Sequence, residues 1–268
     1  MFTSLAEAQG VQIGAAVIVL FLLLVAESTS SFFELFKNRK ARAAHVGRNL
    51  AIGLMNSVLV AAFFVTAWTI TTTWVSDNSV GVLNWLVPET LPIVHVVLAV
   101  LLLDCWTYWW HRINHIVPFF WRFHKVHHSD TKMDVSTAHR FHSGEIILSS
   151  LFRIPVYVII GATLWEVVVY ETIMFAIVQF HHSNISVGEK LDSLLRILIV
   201  TPHMHKVHHS KKRVETDSNY SSMLSVWDRI GRSFRMSNPK EIQFGLEDSP
   251  QPDTIGSMLS HPFKKEQE

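Results

Sequence analysis

The stretch LPIVHVVLAVLLLDCWTYWWHRINH, residues 91–115, carries the two statements on which the fold turns. Residues 91–110 form an apolar run, with His95 and Asp104 inside it, of the length that crosses a bilayer. The run closes on Trp106, Tyr108, Trp109 and Trp110, aromatic side chains of the kind that gather at a membrane interface. His111 and His115 follow immediately. Their i, i+4 spacing sets both rings on one helix face at the end of the span. Alone this pair is a weak signal, since two structural histidines explain it about as well.

Working outward, the hexapeptide HKVHHS occurs twice, at residues 124–129 and 205–210. Each copy places histidines at i, i+3 and i+4, a claw on one side of a helix: His124, His127, His128 and then His205, His208, His209. Thr201 and Pro202 suit the N-cap and first position of a helix carrying the second claw. Looser clusters sit at His139 and His142 and at His181 and His182. Thirteen of the sixteen histidines fall between His111 and His209, whereas core or surface histidines would be scattered. His45, His95 and His261 read as structural. His139, His181 and His203 each neighbour a better ligand and read as supporting partners.

Composition bounds the rest. Hydrophobic residues make up 49% and charged residues 17% of 268, and the net charge of +1 leaves no basic surplus for nucleic acid. Cys105 is the single cysteine, so any metal is held by nitrogen or oxygen. Imidazole suits iron, copper, nickel and zinc, and ten or so histidines exceed the four of a mononuclear zinc site, which favours two metals. No His-Glu-x-x-His and no Glu-x-x-His occurs, which disfavours a zincin protease and the soluble di-iron carboxylate bundle. One cysteine also rules out a His/Cys/Cys deaminase site.

Three more segments belong to the membrane. Residues 11–26, apolar but for Gln12, rise about 24 Å, short of a core of roughly 30 Å, so the helix extends at both ends, to a span near 11–28. A signal peptide fits less well, because no Lys or Arg precedes the run. Residues 50–75 hold no charge and read as one spanning helix. Residues 146–180 are apolar but broken by Arg153, Pro155, Gly161, Glu166 and Glu171, and read as a hairpin, re-entrant or made of two tilted helices, turning near Gly161. The Lys/Arg bias of the loops and the parity of crossings place every histidine cluster on the cytoplasmic side. The expected architecture is all-α: a multi-span helical membrane protein of about four spanning helices or hairpins, with a cytosolic His-rich helical cap holding a dinuclear metal site. Residues 1–90 form an N-terminal membrane region, 91–235 the domain that bears the histidine clusters, with the span 91–110 and the hairpin 146–180, and 236–268 a polar tail.

At this point the pattern resembles a known family. His-x3-His at His111 and His115, His-x2-His-His at His124, His127 and His128, and a second His-x2-His-His at His205, His208 and His209 are similar to the fatty acid hydroxylase/sterol desaturase superfamily, in its bacterial form. Asp104, the Tyr108-Trp-Trp-His-Arg frame, Phe141-His142-Ser-Gly-Glu145 (with Ser143 where the family has proline), His182-Ser-Asn184 and Trp227-Asp-Arg also fit, over roughly residues 95–235. The resemblance implies a membrane enzyme with two non-haem iron ions, zinc being able to replace them in a purified protein. It implies O2 as co-substrate and hydroxylation or desaturation of a lipid C–H bond in a fatty acyl chain, sterol or related lipid. Carried over by position, the ligands are His111, His115, His124, His127, His128, His142, His182, His205, His208 and His209, with Asn184 and Glu145 as orienters. Asp104, about 10 Å along the helix from His111, is a candidate to orient a histidine of another cluster, against an even alternative in which it bonds a Trp or Tyr. Electrons come from a separate donor, ferredoxin-like or cytochrome b5-like with its reductase; the basic run at Lys211, Lys212 and Arg213 reads as attracted to anionic headgroups, with docking of an acidic donor as the sharper alternative.

Two other classes stay open. A membrane metal transporter or store would hold its ligands near the bilayer midplane, not beyond the span ends. A non-catalytic relative would keep zinc structurally.

Overall fold

The computed structural model describes residues 5–247 and 251–264. Among these there is no β-strand, only three isolated bridges. The helices are α1 (Leu5–Thr29), α2 (Arg39–Phe63), α3 (Val65–Asp77), α4 (Val82–Leu86), α5 (Pro92–Ile116), α6 (Pro118–His128), α7 (Ser143–Ile160) and α8 (Leu164–His182). They continue as α9 (Glu189–Leu195), α10 (Pro202–His208), α11 (Arg213–Thr216), α12 (Val226–Ile230) and α13 (Ile255–Ser260). Five of them, α1, α2, α5, α7 and α8, are long and apolar enough to cross a membrane. No residue in the apolar window of α1 is fully buried, so it is an outer helix that packs on α8 along one side and leaves its remaining surface for lipid.

The second span differs from expectation. The sequence reads as one helix over 50–75, but α2 starts at Arg39 and breaks at Phe64, where α3 begins. Asn38 sets the start: its Oδ1 accepts the N–H of Ala41 at 2.9 Å, a cap worth about 1 kcal/mol. The basic residues Arg39, Lys40, Arg42 and Arg48 therefore lie on the first turns of α2, not in a loop, and Arg42 pairs with Glu27 of α1 at 2.7 Å. His45, Asn49, Ile52, Gly53 and Asn56 make one buried face of α2. Beyond Phe64 the chain packs on α7 and α8, whereas α2 packs on the 3-10 turn Val135–His139 and on α7. The break separates a segment packed on the Val135–His139 turn from one packed on α8, with α7 shared by both.

The hairpin over 146–180 turns at Gly161, as expected, with φ of +86° closing α7. Thr163 and Glu166 form a reciprocal capping box that starts α8. Its ionisable residues are engaged: Arg153 pairs with Glu171, and Glu166 accepts from His95, whose other ring nitrogen meets Asn84. α5 runs unbroken through His115, so a span and the first histidine pair are one rigid element. Pro118 then opens α6 at its first position.

The C-terminal stretch is not a free tail. Met258 of α13 is fully buried against Ile52 and Val126, and the carbonyl of Pro252 accepts from the buried Arg140. A capping box of Thr254 and Ser257 starts α13. Residues 248–250 and 265–268 lie outside the described residues.

Gly81 and Gly161 hold the loop before α4 against the α7–α8 turn. A Cβ on Gly81, whose φ is +105°, would meet the Gly161 backbone at 2.3 Å. Gly81→Ala is expected to lower the melting temperature of the purified protein, by more than the about 1 kcal/mol of an exposed Gly→Ala strain. An unchanged melt would show that this contact does not hold the hairpin.

Candidate metal centre

Four separate elements deliver imidazoles to one place. The end of α5 brings His111 and His115; α6 brings His124, His127 and His128; the last residue of α8 is His182; α10 and its C-cap bring His205, His208 and His209. Thr201 caps α10 by accepting from Met204, and Pro202 takes its first position, as the sequence reading has it. The rings sort into two groups. His111, His115, His124, His128 and His208 converge on one point; His127, His182, His205 and His209 converge on another. Within each group the donor atoms lie within 4.8 Å of one another.

The twin hexapeptides are shared between the groups. In α6 the i, i+4 pair His124/His128 serves the first group and His127 serves the second. In the other copy the i, i+4 pair His205/His209 serves the second and His208 the first. Residues four apart lie nearly in line on a helix, while i+3 falls to one side, so each claw straddles both groups. His128 and His209 stack across the divide, with ring centroids 4.4 Å apart and planes at 16°.

Hydrogen-bond partners fix which nitrogen faces inward. Carbonyl and carboxylate oxygens accept, so a ring nitrogen against one carries the proton. Nδ1 of His111 donates to the Tyr220 carbonyl at 2.7 Å, that of His208 to Ser218 at 2.6 Å, and that of His182 to Val178 at 2.8 Å. Nδ1 of His127 donates to the Arg140 carbonyl at 3.3 Å. Nδ1 of His115 meets Asp217 at 3.3 Å, and that of His124 meets Glu145 at 2.8 Å. A neutral ring has one N–H, so in these six residues Nε2 is a bare lone pair. Yet Nε2 of His111 lies 3.1 Å from Nε2 of His124 and 3.0 Å from Nε2 of His208. Nε2 of His127 lies 3.0 Å from Nε2 of His182.

Lone pairs held face to face repel, and no hydrogen is available to bridge them. A cation between them resolves the conflict: nitrogens each 2.0–2.1 Å from a metal stand roughly 3 Å apart. Nε2 of His128 and of His205 also face inward, 3.2 Å from His124 Nε2 and 3.1 Å from His182 Nε2, while His115 Nε2 and both nitrogens of His209 are buried with no partner, as ligands awaiting a metal would be. Burial, followed by the neighbouring histidines, holds His127, His128, His205 and His209 well below the ordinary imidazole pKa. Burial takes His208 down to about 3. The rings are therefore neutral at pH 7 and able to ligate.

Nine of the ten histidines carried over from the resemblance come together in this way. His142 does not: its Nδ1 caps α7 by accepting from Gly144, and its Nε2 donates to the Leu259 carbonyl at 3.1 Å. Glu145 sits where an orienter should, on His124. Asn184 does not touch a histidine; its side chain brackets Phe33 through that residue's N–H and carbonyl. Asp104 also reaches no histidine. It accepts from the Trp227 indole at 2.7 Å and from the Leu224 N–H at 3.0 Å, fastening the chain beyond α10 to the span.

The orienters missed by the sequence reading are Asp217 and the carbonyls of Tyr220, Ser218, Arg140 and Val178. Carbonyls carry no sequence signal, and Asp217 is one aspartate among many. His181 is buried beside His205, with ring centroids 3.9 Å apart, but lies outside both groups.

An internal cavity of about 270 Å³ abuts both groups. His124 and His182 are at one side, and Trp110, Met174, Phe175 and Ile146 supply apolar wall from α5, α7 and α8. It lies among the helices able to cross a membrane.

Comparison with known proteins gives the family. The fatty acid hydroxylase family model matches residues 96–233, and the chain belongs to that family. It is 32% identical to human (Homo sapiens) alkylglycerol monooxygenase over 150 residues, 55% of this chain and 32% of that protein. It is 27% identical to the ornithine lipid hydroxylase OlsE of Rhizobium tropici over 192 residues, 70% of this chain and 57% of that protein. Human lathosterol oxidase is 26% identical over 157 residues, 56% of this chain and 48% of that protein. The matches thus span between about a third and three-fifths of these relatives. No solved structure gives a significant match.

His209→Ala is expected to lower the bound metal measured by mass spectrometry of the purified protein, and His142→Ala to leave it unchanged. Glu145→Leu, which removes the acceptor on His124, is expected to weaken metal binding by about 10–100-fold in a chelator competition. Full metal retention in His209→Ala, or loss in His142→Ala, would overturn the grouping.

Proposed function

We propose that the chain is an integral membrane oxidoreductase that uses O2 to hydroxylate, or desaturate, a C–H bond of a lipid. Two non-haem iron ions are held by His111, His115, His124, His128 and His208 and by His127, His182, His205 and His209. The observation carrying this reading is the convergence of unprotonated imidazole nitrogens in two adjacent groups beside an apolar cavity. When bound, the iron pair supplies activation of O2 for attack on an unreactive C–H bond.

The chain's own residues provide the setting. Asp217, Glu145 and four backbone carbonyls hold the rings by their outer nitrogens, so the inner lone pairs keep direction before metal arrives. Trp110, Met174 and Phe175 give the cavity a largely apolar wall, which suits a lipid chain near the bound metals. The fixed tautomers and full burial favour neutral nitrogen ligands over water at both positions.

The names of the similar proteins, an alkylglycerol monooxygenase, an ornithine lipid hydroxylase and a lathosterol oxidase, support a lipid with a polar head as the substrate class of this reading. Oxygen activation needs two electrons, which this reading assigns to a separate donor protein, ferredoxin-like or cytochrome b5-like. The histidine groups face the cytoplasm in this reading, where such donors are reduced. A metal transporter is disfavoured because both groups are enclosed at the ends of the long helices and are tied by six outer hydrogen bonds.

The test is a lipid comparison of cells with and without the gene, grown under isotopically heavy O2. The expected product is a lipid that gains one heavy oxygen, or loses two hydrogens, only where the gene is intact, and that disappears in His128→Ala. Metal uptake into vesicles with no oxidised lipid would contradict the proposal.

A further inference from the structure

The inner cavity is not isolated. A groove of about 440 Å³ runs between α1, α2, the start of α3, α7 and α8, and shares a wall with it. Phe141, Ile146, Ser149 and Phe175 line both spaces. So do Arg153 and Glu171.

Those two charged residues are the anomaly of the region. They sit midway along α7 and α8, both among the helices able to cross a membrane, and pair with each other. Arg153 lies about 12 Å along α7 from Glu145, and Glu171 about 16 Å along α8 from His182. Their side chains remain about one-fifth exposed, at 20% and 23%, and face the two spaces. Trp68 of α3 holds the guanidinium from the side, with Cζ 5.8 Å from its ring. A charge pair inside a membrane domain is costly and rarely retained without use.

We propose that the groove is a lateral port through which a lipid alkyl chain passes from the bilayer to the histidines, and that Arg153 and Glu171 select lipids carrying an uncharged hydrogen-bonding group. Three features favour an uncharged group. The pair is neutral as a whole, so an added net charge would have no counter-charge. The contact between Arg153 Nη1 and Glu171 Oε1 leaves further guanidinium N–H donors and carboxylate Oε2 as an acceptor. A hydroxyl uses both kinds at once, and an anionic head would meet Glu171. The groove is bordered by Gln12 and Ile13 of α1, a helix with no buried residue in its apolar window and with Ile13, Val17, Ile18 and Phe21 exposed, so its outer side meets lipid. The oxygenase reading supplies the reason a lipid travels this way, but the binding itself needs neither metal nor turnover.

The experiment is photolabelling of the full-length protein in lipid nanodiscs with two probes of equal chain length. One is an alkylglycerol bearing a diazirine in its chain, the other the corresponding diazirine alkane. Mass spectrometry then maps the labelled residues. The expected label from the alkylglycerol falls on groove residues such as Ser57, Val60 and Phe175, about tenfold above the alkane, as for the loss of a hydrogen bond to a charged group.

The double variant Arg153→Met/Glu171→Leu removes the pair without leaving an unpaired charge. It is expected to keep its metal content and melting temperature and to lose the discrimination. Label outside the groove, equal labelling of wild type by both probes, or undiminished discrimination in the double variant would each overturn the proposal. Groove labelling with the expected discrimination, in a protein that oxidises no lipid, would uphold the port and sink the oxygenase reading instead.

Discussion

The structure depends on bare imidazole lone pairs forced to point at one another. Three inward contacts of 3.0–3.1 Å join nitrogens whose rings already spend their protons on outer acceptors. Without a cation such contacts are repulsive; with one, they are the strongest ties between α5, α6, α8 and α10. Nine enclosed rings outnumber their outer hydrogen-bond partners, and five of their nitrogens are left without any partner. In the proposed di-iron reading, metal binding and the packing of these helix ends are therefore one event.

That requirement explains the architecture around it. A span that continues without a break into His111 and His115 gives the first group a rigid base. Pro118 and Pro202 restart helices at the positions from which each hexapeptide can reach both groups. Asp104 then serves the fold, drawing Trp227 and the chain beyond α10 back onto the span. The Tyr220 and Ser218 carbonyls that orient His111 and His208 lie in that fastened segment. Among the long helices, the hairpin of α7 and α8 leaves a largely apolar space beside both histidine groups.

Much of this is legible in the sequence because its causes are local. Apolar length marks the spans, Gly161 marks the hairpin turn, and i, i+3, i+4 spacing marks the claws. The misses have long-range causes. The split of 50–75 at Phe64 follows from different packing partners on either side, which composition does not encode. The ordering of residues 251–264 comes from Met258 finding a pocket beside Ile52 and Val126. His142 looks like a ligand in the linear motif, yet it caps α7. Asn184 resembles an orienter, yet it secures Phe33. The interleaving of the two claws is also invisible in one dimension, because it depends on how α6 and α10 face each other.

The most direct test is anomalous diffraction at the iron edge from crystals of protein purified without oxygen. Two anomalous peaks are expected, one within bonding distance of His111, His115, His124, His128 and His208, the other within bonding distance of His127, His182, His205 and His209. A single peak, or a metal bonded to His142 in place of either group, would contradict the account.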